Sequence, residues 1–409
     1  MPTRFFRPFA RPVEDRVHTI VRGSGAVVWD ADGNRYVDAL AALWFCQAGH
    51  GRADIADAVA DQLRTLEAFH CFERFTNPVA EELCERLADG APVDDARVLL
   101  TSSGSEAVDS ALKVVRLTFD LAGDPDRHVV VSRVGAYHGV TFGGMSVQGL
   151  AANQAGFGPL LPGIVTVPDD ELDATLDALG DRVAAVITEP VQGAGGVHPP
   201  TRDFLGHLRR RCDELGALLV LDEVITGFGR LGRRWAADHY GVRPDLVTFA
   251  KGVTSGYQPL GGVLVGARVR EVLEADPTFV FRHGHTYSGH PAAARAALAN
   301  LDAIEREGLE ARALHIGSRL EPELRALEAA GTLTEVRGLA GIWGVTLPEG
   351  IDAFAVRDAM MRAGVIVRPL GPSVIGICPP LVIDDHDLDR CATALGEAVT
   401  AVRSGTTTP

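Results

Sequence analysis

The chain has 409 residues, 46% of them hydrophobic and 23% charged, with a formal net charge of -15. That length supports two or three domains and a large core, and the composition is that of an ordinary globular protein. The acidic balance argues against a nucleic-acid or anionic-membrane partner, which needs a basic face. No apolar run approaches the ~18 residues of a membrane span, and the N-terminal residues carry no signal-peptide core. Six cysteines (46, 71, 84, 212, 378 and 391) are scattered without a C-x-x-C pair, and the 13 histidines show no H-E-x-x-H spacing. These features predict a reducing, cytoplasmic setting with no disulfide framework, no zinc site and no other metal.

In chain order, residues 26–29 and 35–37 read as short strands split by the turn Asp30-Ala-Asp-Gly33. From about residue 50, short β-rich runs alternate with longer helical patterns. Strands are predicted at 97–100, 128–132, 163–167, 183–188, 217–221, 246–249 and 262–265, with helices such as 203–215 between most of them. Seven apolar strands so separated indicate an α/β protein with a mainly parallel sheet covered on both faces. Only a short Gly-rich stretch joins the last two, which predicts an antiparallel final strand. A long helix at 292–307 then leads into a smaller α+β section with strands at 333–337, 342–347, 365–368 and 374–377 and a closing helix at 388–402. The tail from Ser404 to Pro409 reads as disordered.

Lysine is nearly absent. Lys113 and Lys251 are the two in the chain, and every other Lys/Arg position is arginine. Arginine cannot lose a proton to become a free amine and so cannot form a Schiff base with an aldehyde. Lys113 lies in a helical stretch and reads as a surface charge. Lys251 ends the run Leu246-Val-Thr-Phe-Ala250 and precedes Gly252. It is either a solvated strand-end lysine or a group in the ligand crevice at the carboxyl end of the sheet.

Three further segments carry possible chemistry. The turn Thr101-Ser-Ser-Gly-Ser-Glu106 follows a strand and opens a helix. Ser103, Gly104 and Ser105 there form either a phosphate cup on helix-start amides or an ordinary N-cap, and the two roles are compatible. It is not a P-loop, because no Gly-Lys-Ser/Thr follows. Asp222 ends the apolar run Ala217-Leu-Leu-Val-Leu221 beside Glu223. A carboxylate there needs a partner, either a metal or a protonated ring nitrogen, and no histidine ligands neighbour it in sequence. Tyr137-His-Gly139 places an aromatic face after another strand, to cover a flat ring or simply to be buried. Gly227-Phe-Gly229 follows the acidic pair instead of opening the first βα turn, so it is no dinucleotide fingerprint.

A Schiff-base lysine, a phosphate cup, an aspartate for a pyridinium nitrogen and a stacking aromatic together describe the needs of pyridoxal phosphate. The chain resembles the class III, ω-amino acid:pyruvate type, aminotransferases of fold type I. The resemblance runs from about Trp29 to Ile383. It rests on Ser103-Gly-Ser-Glu-Ala107, Tyr137-His-Gly139, Glu189-Pro-Val191, Asp222-Glu-Val-Ile-Thr-Gly-Phe-Gly-Arg230, Ala250-Lys-Gly252 and Thr286-Tyr-Ser-Gly-His-Pro291.

The resemblance implies three parts: an N-terminal segment (1–50) packing with a small domain, a large cofactor-binding domain (51–290) and the C-terminal small domain (291–409). It implies that Lys251 forms the Schiff base and shuttles the proton, and that Asp222 keeps the ring nitrogen protonated. Val224 and Tyr137 would cover the two ring faces, with His138 beside them, and Ser103, Gly104 and Ser105 would hold the phosphate. Thr286 would reach the phosphate of a neighbouring subunit's cofactor, which makes the active unit at least a homodimer. Glu189 would be a supporting acid or a structural ion pair. Ala194 stands where ornithine- and GABA-type members carry a masking glutamate, and Ile225 where they tend to carry glutamine. Both departures favour the ω-amino acid/amine:pyruvate branch.

By the same resemblance Arg368 would bind an oxo-acid carboxylate and swing aside for an apolar amine. Trp44 would wall the pocket, and the segment Phe69-His-Cys-Phe-Glu-Arg-Phe75, with Phe72, would enter the partner's pocket. Glu73 occupies an expected aromatic position and points to a polar or cationic amine. The rival readings are a decarboxylase or aminomutase on the same fold, or a non-catalytic binding protein. A dehydrogenase is disfavoured because no glycine fingerprint opens the sheet.

Overall fold

The computed structural model describes residues 4–12, 17–201 and 203–405. Its centre is a seven-stranded sheet. Across it the strands run Arg97–Thr101, Gly261–Val265, Leu246–Phe249, Leu218–Asp222, Val183–Thr188, Val129–Arg133 and Ile164–Val167. Every residue of the five inner strands is buried, and exposure is confined to the two edges. Continuous apolar runs are what a sheet covered on both faces requires. All seven expected strands are present, with ends displaced by no more than a residue. Gly261–Val265 is antiparallel to both neighbours and the other pairings are parallel. A Cβ on Gly262 would lie 2.5 Å from the Phe249 ring and 2.7 Å from the Leu99 carbonyl oxygen, so glycine permits this insertion.

Helix Gly104–Leu121 covers one face through Ala107, Val108, Ala111 and Val115. On the other side Phe228, Trp235 and Phe249 pack with ring centroids 4.9–6.0 Å apart. Helix Pro291–Arg306 begins with proline at its first turn, packs on Ala53–Thr65 and Pro78–Asp89, and carries the chain to the C-terminal section.

The two ends of the chain share structure. Ile20–Ser24, Val27–Asp30 and Arg35–Asp38 form an antiparallel meander, and Val365–Ile366 joins its edge in parallel. A second small sheet runs Glu335–Leu339, Ile342–Thr346, Val374–Ile377 and Arg368–Pro369. The single strand expected at 365–368 is therefore two pieces in different sheets, with Val367 at the seam. Helix Leu309–Ala329, absent from the sequence reading, follows the long linking helix and contains Pro322. The closing helix spans Asp385–Arg403. Of the tail expected to be disordered, Ser404 and Gly405 form a turn, and residues 406–409 lie outside the described residues.

Candidate active site

The carboxyl ends of the inner strands open on one cavity of about 340 Å³. Its wall brings together Ser103, Gly104, Ser105, Tyr137, His138, Glu189, Asp222, Val224 and Lys251. These come from five places scattered along the chain, each at or just past the end of a strand of the central sheet, as ligand sites in open α/β sheets do.

Asp222 is 4% exposed and fully engaged. The His138 Nδ1–H donates to its Oδ2 at 2.7 Å, and the Val224 amide donates to its Oδ1 at 3.0 Å. A buried carboxylate is tolerable on such terms. The buried His138 Nε2 has no partner. Lys251 follows Leu246–Phe249 in a tight turn at φ 46°. Burial pushes its ammonium pKa down; Asp222 and Glu189 oppose that shift, and Arg368 adds to it. The adjacent glycine is required, because a Cβ on Gly252 would lie 2.1 Å from the Gln47 amide nitrogen.

Ser103 caps helix Gly104–Leu121. Its hydroxyl accepts the Glu106 amide at 3.2 Å, and Glu106 Oε2 accepts the Ser102 amide at 2.7 Å, a reciprocal cap. The Ser105 hydroxyl accepts the Val140 amide at 3.1 Å. Both hydroxyls thus act as acceptors locally and keep an O–H for an outside acceptor. A Cβ on Gly104 would meet Val224 at 3.0 Å, so even a methyl group at the floor of the cup would press on the Val224 side chain. The cap is present, and it leaves both hydroxyl protons free for the anion-cup role that the other reading expects.

Glu189, 3% exposed, follows Val183–Thr188. Its Oε1 accepts the Tyr137 amide and its Oε2 the Gly193 amide, both at 2.9 Å. Burial raises its pKa to about 7; the nearby His138 pulls against that rise and Asp222 adds to it. It makes two hydrogen bonds to backbone rather than an ion pair.

Of the remaining expected residues, Ile225 lines the cavity, and Trp44, Phe72, Ala194, Thr286 and Arg368 do not. Trp44 is 4% exposed. It packs in a cluster with Leu40 and Ile225, with Ala194 against it. Arg368 holds its guanidinium carbon 5.9 Å from the Trp44 ring centroid, within cation–π range. Burial pushes the Arg368 pKa down, with the nearby Tyr137 opposing; no carboxylate faces it among the described residues. Phe72 and Thr286 are exposed, and Glu73 is exposed with φ 58°. Lys113 is exposed as expected, and donates to His283 Nδ1 at 2.9 Å.

Phe45, Thr254, Gln258 and Leu260 also line the cavity and were not singled out in the sequence. Phe45 adjoins Trp44, and the others lie in the short connection after Lys251; that adjacency is the one signal they carry.

The Aminotransferase class-III family model matches residues 9–399. The chain belongs to the class III aminotransferases. It is 38% identical to a probable aminotransferase of Mycobacterium tuberculosis, over 93% of this chain and 89% of that protein. It is 34% identical to the putrescine–pyruvate aminotransferase of Pseudomonas aeruginosa, over 95% and 91%. An amine transaminase from an uncultivated Pseudomonas species, solved with pyridoxal phosphate bound, superposes with a TM-score of 0.94 at 35% identity, covering 98% of this chain and 99% of that one.

The fold of this aminotransferase is thus fold type I, and its cofactor is pyridoxal phosphate. The cavity fits that group by its donor set. An amine shifted toward its neutral form, a buried carboxylate, two hydroxyls with protons to give and a glycine-floored helix start converge on one space, and His138 Nε2 is left without a protein partner.

Proposed function

We propose that the enzyme moves an amino group from an ω-amino acid or other primary amine to pyruvate or a similar oxo acid by ping-pong exchange. The observation that carries this reading is Arg368, a half-buried guanidinium near the cavity with no carboxylate partner among the described residues. A site that must accept a carboxylate from one substrate and an apolar amine from the other needs such a cation. Ala194 and Ile225, both apolar and packed in the Trp44 cluster, offer no acid at those two positions to mask it. The names of the matched relatives support the same substrate classes.

When bound, pyridoxal phosphate supplies an aldehyde that takes up amines and a ring that stores an electron pair. Lys251 would hold the aldehyde, Asp222 the ring nitrogen, Ser103, Gly104 and Ser105 the phosphate, and Val224, Tyr137 and His138 would surround the ring. Released, Lys251 Nζ takes the proton from the amine-bearing carbon of the donor and later returns one, acting as base and then acid. Its lowered pKa keeps the neutral form accessible. Asp222, fixed by His138 and Val224, presents its charge without reorganising.

The proposal includes a homodimer. Thr286 and Phe72 are exposed, and with Phe69 (49%), Phe75 (52%) and Tyr287 (65%) they form apolar surface that a second copy would cover. It also includes the three-part division at residues 50 and 290, supported by the strand Val365–Ile366 that completes the N-terminal sheet. A cytoplasmic location is supported by six cysteines with no disulfide among them. No described helix is long and apolar enough to cross a membrane.

The test is a panel of ω-amino acids, diamines and arylalkyl amines supplied with pyruvate. Alanine is the expected product. Carbon dioxide release or donor isomerisation without alanine would replace this reading by the decarboxylase or aminomutase one.

A further inference from the structure

Glu189 lines the cavity and sits between two backbone segments. One is the loop Gly135–Tyr137, whose tyrosine lines the cavity, and the other is the turn Gln192–Val197 behind it, which carries Ala194. The two are packed backbone to backbone: a Cβ on Gly195 would lie 2.2 Å from the Gly135 carbonyl oxygen, so no side chain fits between them. Two ties hold them together. Gln192 Nε2 donates to the Val134 carbonyl at 2.9 Å. Glu189 accepts Tyr137 N–H on one oxygen and Gly193 N–H on the other.

We propose that Glu189 is a positioning residue whose single buried carboxylate locks the tyrosine-bearing loop to the Ala194 turn behind it, so that the Tyr137 wall of the cavity keeps one setting against that turn. This rests on the function proposed above for the cavity. It goes further by giving Glu189 a task that is neither proton transfer nor ion pairing.

The carboxylate accepts strongly from both amides; protonation leaves one oxygen a neutral hydroxyl, a far weaker acceptor that must also place its own O–H, so one of the two ties weakens. The groups that set its charge are His138 and Asp222 beside it and Lys251 across the cavity, while Tyr137 and Arg368 lie beyond. Behind it, Arg133 bonds Thr188 and is committed to Asp169. The shift of Glu189 to about 7 then places loosening of the lock on the acid side of neutrality.

Hydrogen exchange of the holoenzyme, read at the amides of Tyr137 and Gly193, tests the lock without reference to turnover. In Glu189→Gln, one amide must face an NH2 group, and protection there should fall about 10-fold or more while the inner strands stay protected. Pyridoxal phosphate should bind the same variant more weakly, with a displaced absorption band, and Glu189→Asp should recover part of both. In the wild type, protection at these two amides, corrected for intrinsic rates, should fall as pH drops from 8 to 6. Wild-type protection and cofactor affinity in Glu189→Gln would overturn the proposal. Should that variant not fold, protection indifferent to pH at both amides in the wild type would overturn it alone. Failure of the wild type to make alanine would instead count against the transaminase reading and leave the exchange result standing.

Discussion

Replacing Lys251 by alanine removes the amine and leaves the turn intact, because both residues carry a Cβ and face the same φ of 46°. Lys251→Ala should therefore melt within a few degrees of wild type, lack the visible band of the lysine-bound cofactor and show no multiple turnover; sustained turnover in this variant would refute its role. At this scale the site was legible where chemistry is rare or costly. Lys251 stands out because the chain uses arginine at nearly every other basic position, and Asp222 because it ends a run of apolar residues. Phe45, Gln258 and the two hydrogen bonds of Glu189 were not legible. A cavity wall formed by backbone proximity leaves no mark on residue type, and Glu189 reads in sequence as any acid before a proline.

Among the elements, Glu223 shows what a buried acid does to pH dependence. It is fully buried, its oxygens accept the Ala236, Ala237 and Thr226 donors, and it starts helix Ala236–Tyr240. Burial raises its pKa from 4.5 to about 7. The native state thus holds the proton over a window in which the unfolded chain has released it. Stability from this group is present below about pH 4.5 and declines as pH rises through 7, by at most on the order of 3 kcal/mol. Glu223→Gln does not titrate. Denaturation at pH 5 and pH 8 should show the stability difference shifting toward the variant at the higher pH, and a constant difference would contradict the assignment. The elements themselves were largely legible: seven strands fell where apolar runs predict them. Helix Leu309–Ala329 was not, since Pro322 interrupts a helical reading although the observed helix continues through it. The run 365–368 looked like one strand because a change of sheet at Val367 alters pairing partners and not residue type.

For the molecule as a whole, one chain supplies the cofactor cradle and leaves Thr286 and the Phe69–Phe75 segment on its outside. If these complete a neighbour's site, activity per chain should fall on dilution in step with the loss of a species of twice the chain mass, measured by sedimentation, and excess pyridoxal phosphate should slow that loss. Full activity in a monomer would remove both from the site. A change of texture near residues 50 and 290 is legible in the sequence and underlies the proposed division; that the N-terminal segment packs with the small domain was implied by the resemblance alone, because long-range pairing such as Val365 with Val37 leaves no local signal. Arg368 stands just past the seam at Val367, suspended between a sheet anchored by the N-terminus and one anchored by the C-terminal section. Its aim depends on how those sheets are seated against each other. Val37 and Ile375, register partners of Val365 and Pro369 and both fully buried, touch no reactant. Substituting them should retune the choice of acceptor acid from a distance while leaving the cavity's own lining intact.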